Sequence, residues 1–299
     1  MRRMSGSREA GRMRSFSGRR LTVYGMISAG LFLVLFLGTF RRRTEGMERE
    51  EFQVVAFGDS FFGEVRDETS VPALLQALTG KSVYNAGLGG TCMARQPQGR
   101  RMDYGKDSLS MVGLARAVGT DDFGVQQTVR MRETNTEYFE EDIDRLETID
   151  FSRVETVLIQ QGVNDYHAGI PIENPEDPYD EYTFLGALRT TVGYLRRANP
   201  EVRILLVTPT YTWYIFTGLT CEEADQGGGL LEDYVEAELG AAGELGIEVI
   251  DVYHDFFPHE TWEDKDAYTR DGLHPNEEGR EKLAGRIAQE LCAVEDPEG

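Results

Sequence analysis

The stretch "VVAFGDSFF", residues 54–62, decides how the chain is read. Val54 to Phe57 are apolar without alternation, the pattern of a strand covered on both faces. The run stops at Gly58-Asp59-Ser60 and resumes with two phenylalanines. A serine placed there is either a nucleophile delivered to the mouth of a cleft or the N-cap of the next helix. On the triplet alone the cap is the better reading. What the chain places near Ser60 decides between them.

Working outward, four further apolar runs follow: residues 82–86, 154–161, 202–209 and 247–252, with 52–57 as the first. Most are rich in Val and Ile. Helical patterns lie between them at 71–80, 138–149, 182–200, 230–246 and 276–294. Gly80 suits a helix end and Pro200 a stop. The segment 87–153 lacks a clear strand and is expected to hold helices, including 108–118 and 123–132. This alternation predicts an α/β fold: a mostly parallel five-stranded sheet between two helical layers. "GGG" at 227–229 reads as a flexible joint.

In an open parallel sheet, ligands bind outside the carboxyl ends of the strands. The first strand ends at Gly58-Asp59-Ser60. The second runs into "NAGLGGT" (85–91), the third ends at "GVND" (162–165), and "DGLHP" (271–275) precedes the last helix. Acyl transfer uses such parts. A serine hydroxyl is a poor nucleophile until a base takes its proton. His274 titrates naturally in the working range, and Asp271, three residues earlier, can hold Nδ1–H and stabilise the imidazolium. The oxyanion needs donors, and the backbone N–H of Ser60, the N–H of Gly90 and the side-chain amide of Asn164 qualify. Asp59 is assigned to support of the turn.

Together these four blocks resemble the SGNH hydrolases, also called the GDSL esterase/lipase family: Ser60 in "GDS", Gly90 in "NAGLGGT", Asn164 in "GVND" and His274 in "DGLHPN". Gly90 is chosen over Gly87 and Gly89 by its spacing from Asn85. Phe61 stands where many members have Leu. The resemblance, over about residues 52–290, implies a flavodoxin-like three-layer α/β/α sandwich and ester hydrolysis without a metal or other cofactor.

Charge divides the chain. Residues 1–43 hold ten Arg and one Glu, net +9, and the remainder holds 21 Lys and Arg against 51 Asp and Glu, net −30. A body so acidic repels polyanions, which argues against nucleic-acid partners. Residues 21–40 contain no charge and as a helix would span roughly 30 Å, a bilayer's hydrocarbon thickness. Seven arginines precede the segment and Arg41, Arg42, Arg43 and Arg49 follow it. The expected organisation is a basic cytoplasmic segment (1–20), a transmembrane signal anchor (21–40), a linker (41–50) and an extracytoplasmic hydrolase domain (51–299). A cleaved signal peptide fits less well, because the apolar run is long and no A-x-A-like site closes it. The three cysteines, Cys92, Cys221 and Cys292, allow at most one internal disulfide.

The expected substrate is an ester of a small acyl group, an acetylated glycan foremost. A lipase or lysophospholipase, a transferase to another hydroxyl and a non-catalytic binding domain are the alternatives. "TPTYTWYIF" (208–216) follows the fourth strand; Tyr211, Trp213, Tyr214 and Phe216 either meet a sugar or acyl group or pack the loop onto the sheet. His167 is expected to line the cleft. His254 and His259 lie near Asp251 and Asp255, but their spacing matches no metal-ligand pattern, so structural roles are expected.

Overall fold

The computed structural model describes residues 49–96, 108–129 and 139–293. The expected anchor at 21–40 lies outside them. Among the described residues no helix is long and apolar enough to cross a membrane.

All five apolar runs form strands of one sheet: β1 (Val54–Gly58), β2 (Val83–Gly87), β3 (Thr156–Gln160), β4 (Arg203–Val207) and β7 (Glu248–Ile250), in the order β2-β1-β3-β4-β7. Every pairing in it is parallel. Trp213–Tyr214 (β5) and Leu219–Thr220 (β6) form a separate antiparallel hairpin. The described helices are α1 (Ser60–Gly63), α2 (Val71–Thr79), α3 (Met111–Thr120), α4 (Phe139–Thr148), α5 (Val163–Ala168), α6 (Phe184–Ala198), α7 (Leu231–Leu245), α8 (Lys265–Tyr268) and α9 (Glu277–Ala293). Their ends have local causes. Ser70 accepts the Ala73 N–H at the start of α2, and Thr183 accepts the Gly186 N–H at the start of α6.

Side chains alternate across the sheet, so each strand feeds two cores. Val55 and Phe57 of β1 join Val157, Ile159, Ile204 and Leu206 on one face, beneath α3, α4, α6 and α7. Val54 and Ala56 join Leu158, Leu205 and Val207 on the other, beneath α2 and α9. Burying each such Val, Leu or Ile side chain contributes about 1.5–3 kcal/mol before entropy is counted.

The register aligns the strand ends. Gly58 sits opposite both Gly87 and Gln160, Gln160 opposite Val207, and Val207 opposite Ile250. The loops that follow β1, β2 and β3 therefore emerge side by side, with the topology reversing at β1, where such sheets open a crevice. One expected helix is corrected. Within 123–132 the described residues form only a short 3₁₀ turn at Gln126–Thr128, and Val129 is already extended. The β-branched Val129 and the glycine at 124 both disfavour continuation.

Candidate active site

Ser60 is the first residue of α1, and Asp59 caps that helix by accepting the Phe61 N–H on Oδ1 at 3.0 Å. The next amides are taken as well: Phe62 and Gly63 both donate to the Asp59 carbonyl. The first N–H of a helix has no intrahelical acceptor, which leaves the Ser60 amide available to a ligand.

His274 is brought to Ser60 from 214 residues away. Its Nε2 lies 3.0 Å from Ser60 Oγ, and its Nδ1 lies 2.8 Å from Asp271 Oδ2. Asp271 Oδ1 meanwhile accepts the backbone N–H groups of Leu273 (3.0 Å) and His274 (2.7 Å), locking the turn. Gly272, between them, has φ +84°, and a Cβ there would collide with the Trp213 carbonyl. Partial burial raises the Asp271 pKa, but hydrogen bonds from the His274 ring and backbone outweigh it, and the carboxyl sits below its ordinary range. It is held ionised, facing the imidazole.

Asn164, in the first turn of α5, uses its amide on two acceptors, Asp59 Oδ2 and the Thr91 carbonyl, each at 3.1 Å. Its neighbour Asp165 is fully buried and accepts the N–H groups of Met93 (2.8 Å) and Ala94 (2.9 Å). Two adjacent side chains thus clamp the loop after β2. That loop turns at Gly90, whose φ of +73° belongs to the left-handed region that suits glycine. Burial pushes both Asp59 and Asp165 up to about 7, despite the hydrogen bonds they accept.

His167, also on α5, is partly buried, and its Nε2 lies 2.9 Å from the Tyr214 hydroxyl. Burial, helped by the nearby His274, lowers it to about 4, so it is neutral at neutral pH. Of the aromatic loop, Tyr211 does not reach the cleft. It is 2% exposed, its ring stacks on His259 at 4.2 Å, and its hydroxyl donates to Glu222. Of the two readings of Tyr211, contact with substrate or packing of the loop, its pairing with His259 and Trp213 is that of a packing residue. Trp213 is equally buried, with its backbone N–H on the Gly272 carbonyl at 2.8 Å. It braces the turn that holds Asp271 and His274, and it forms part of a cavity wall beside Asp271.

Three features escaped the sequence reading. Asp59 does more than cap a helix, because it also holds Asn164. Asp165 anchors the loop of Gly90. Glu64 lies 3.9 Å from His274 Nε2 and is ion-paired with Arg270. For Asp59 and Asp165 the signal was their position beside Ser60 and Asn164 at strand ends. Among the described residues, no group of three or more His, Cys, Asp or Glu is placed to hold a metal ion. Cys92 and Cys221 are buried, Cys292 is exposed, and none of the three forms a disulfide among the described residues.

A serine, a histidine and an aspartate joined at the C-terminal edge of a parallel sheet are the apparatus of a serine acyl hydrolase on an α/β fold. The chain belongs to the GDSL-like Lipase/Acylhydrolase family, which it matches over residues 56–282, and it is an acylhydrolase acting on ester bonds. One solved crystal structure is 24% identical, with a TM-score of 0.60, covering 83% of this chain and 98% of its own. A protein from Lactobacillus plantarum is 19% identical, with a TM-score of 0.55 and coverage of 82% and 99%. A "possible lipase" from Chitinophaga pinensis DSM 2588 is 20% identical, with a TM-score of 0.53 and the same coverage. These likenesses show the fold. No curated protein matches the chain.

Proposed function

We propose that the protein is a serine esterase that removes a small acyl group, with Ser60 as nucleophile, His274 as general base and Asp271 as its orienting carboxylate. The observation that carries this is the continuous hydrogen-bonded chain from Ser60 Oγ through His274 to Asp271, at 3.0 and 2.8 Å. Ser60 Oγ attacks the ester carbonyl while His274 Nε2 takes its proton. The oxyanion is met by the N–H groups of Ser60 and Gly90 and by Asn164, which yields one of its present acceptors. The C–O bond to the alcohol then breaks, and His274 returns the proton to the leaving oxygen. Water, deprotonated by His274, attacks the acyl-serine and releases the acid and free Ser60.

The alcohol proposed is a glycan hydroxyl, with acetate as the acyl group; the exposed aromatic side chain of the 208–216 loop supports this. The proposal includes a membrane anchor at residues 21–40 with the enzyme outside, supported by the apolar length and flanking arginines. Retention of the full chain in membranes after an alkaline wash, and its release on deletion of 1–45, is the expected result. For the chemistry, a serine-reactive fluorophosphonate should label the wild type and not Ser60→Ala. Release of acetate from acetylated oligosaccharides should vanish in the same variant. A folded wild type that takes no label and cleaves no ester would leave the binding-domain alternative standing.

A further inference from the structure

A cavity of about 740 Å³ adjoins the triad, walled by Asp271 and Leu273 on one side and by the β5–β6 hairpin on the other. Of the triad only Asp271 lines it; Ser60 and His274 do not, and neither do Gly90 and Asn164. The cavity therefore lies beside the loop that carries Asp271 and His274. His274 must reach the leaving oxygen to protonate it, so this is the side on which the alcohol part departs.

The hairpin is held to the site at two points: the Trp213 backbone N–H on the Gly272 carbonyl, and the Tyr214 hydroxyl on His167. Beyond these latches it presents apolar groups to solvent. Phe216 is 98% exposed, and Ile215 and Leu219 are exposed as well; all three line the cavity. Such side chains, gathered on one short hairpin beside an active site, mark a ligand surface rather than scattered exposure. The ionisable side chains of the wall are Asp271, Glu223 and Asp225, together with the Tyr214 phenol, and no Lys or Arg is among them. Glu223 and Asp225 also serve the loop, accepting the N–H groups of Thr220 and of Gly227 and Gly229. A negatively charged ligand would meet three carboxylates in the wall, with the one nearby guanidinium, Arg270, 3.7 Å from Asp271 and ion-paired with Glu64.

We infer that the β5–β6 hairpin is the specificity element for the alcohol part of the ester, and that it selects an uncharged alcohol with a broad apolar face. An aryl ring or the C–H face of a sugar is of that kind. The inference rests on the esterase reading above and adds which half of the ester is recognised, by which residues, and with what charge. Phe216 and Ile215 cover the apolar face, Leu273 supports it from the triad loop, and Glu223 and Asp225 turn anions away.

The test uses the full-length protein and acetate esters that differ only in the alcohol: ethyl, benzyl, 2-naphthylmethyl and 4-carboxybenzyl. Acetate release gives kcat/KM for each. In the wild type, kcat/KM should rise about tenfold or more from ethyl to naphthylmethyl acetate, the scale on which apolar pockets discriminate. The carboxybenzyl ester should fall roughly tenfold below the benzyl ester at low salt and recover as salt screens the charge. In Phe216→Ser and Ile215→Ser, the naphthylmethyl-to-ethyl ratio should collapse, while Glu223→Gln combined with Asp225→Asn should narrow the benzyl-to-carboxybenzyl gap. Wild-type ratios retained in the hairpin variants would overturn the inference, as would a preference that follows acyl length instead of alcohol size. Failure of the esterase reading looks different: no ester in the series would be cleaved by the wild type above Ser60→Ala.

Discussion

Two loops of this protein carry Asp-x-x-His, Asp251–His254 after β7 and Asp271–His274 before α9, and they fold alike. In each, one aspartate oxygen accepts the backbone N–H groups of the two residues closing the motif, at 2.9 and 3.1 Å in the first loop and 3.0 and 2.7 Å in the second. In each, the other oxygen meets the imidazole Nδ1, at 2.7 and 2.8 Å. The loops part at Nε2. That of His274 faces Ser60 Oγ at 3.0 Å; that of His254 faces Glu236 at 3.6 Å and Glu232 at 3.9 Å. The motif fixes a ring and its tautomer. Whether that ring becomes a base for chemistry depends on what the sheet topology delivers to its far nitrogen, and only the loop opposite β1 receives a serine.

The comparison breaks first at the histidines. His274→Gln should lower kcat/KM by roughly 10³-fold or more, as removal of a triad base does. His254→Gln should stay within about twofold, because an exposed ion pair contributes little. A comparable loss in both would mean that the second loop takes part in the reaction. The aspartates sharpen the point. Asp271→Asn should cost about 10³–10⁴ in kcat through the wrong tautomer, and Asp251→Asn should leave kcat unchanged.

A smaller effect is expected behind the oxyanion site. Asn164→Ala should reduce kcat by about 10²–10³. Asp59→Asn can replace only one of the two acceptor bonds that Asp59 provides, to the Phe61 N–H and to Asn164. It should therefore lower kcat more than it raises KM. The double variant should lose less than the product of the single losses, because Asp59 acts through Asn164. Multiplicative losses would show that Asp59 serves the helix cap alone.

The three inner strands, β1, β3 and β4, were legible because buried strands of a parallel sheet leave unbroken apolar runs, whereas the edge strands β2 and β7 are half-covered and showed only as shorter runs between helical patterns. The residues that meet at Ser60 were legible because each closes a strand or opens the last helix. The pairing of Asn164 with Asp59 was not, since 105 residues separate them and only strand order makes them neighbours. The aromatic loop left two readings open because Tyr211 and Phe216 look alike in sequence. The β5–β6 pairing sends one inward against His259 and leaves the other in solvent. Asp251-x-x-His254 shows the same limit from the other side: an equally good local motif with a different partner.

Helix α7 carries the contrast inward. Glu232 and Glu236 lie near His254, whereas Glu238 is fully buried with neither carboxyl oxygen hydrogen-bonded among the described residues. Burial raises its pKa well above the ordinary 4.5, and the negative charges of Asp165 and Asp251 add to the rise. A carboxyl raised on folding stabilises the protein fully below its unfolded value, and that contribution is lost as pH climbs through the folded one. Glu238→Gln removes this dependence. In urea unfolding it should exceed wild type by roughly 1–3 kcal/mol at pH 8, with the advantage shrinking toward pH 5. An equal difference at both pH values would place the effect in packing.

The smallest expected effect returns to His254. The hydrogen bond that His254 donates to Asp251, with the negative charges of Asp251, Glu236 and Glu232, raises its pKa against the opposing effect of burial. For a base raised on folding, the stabilisation is complete below the unfolded value of 6.5 and fades as pH passes the folded one. His254→Gln should therefore lower stability at pH 5.5 by only a few tenths of a kcal/mol, since the group is largely exposed and screened. At pH 9 the two proteins should unfold together, and added salt should close the gap at pH 5.5. A difference that persists at pH 9 would mean that the ring contributes through packing against Tyr253, 5.1 Å between centroids, and not through its charge.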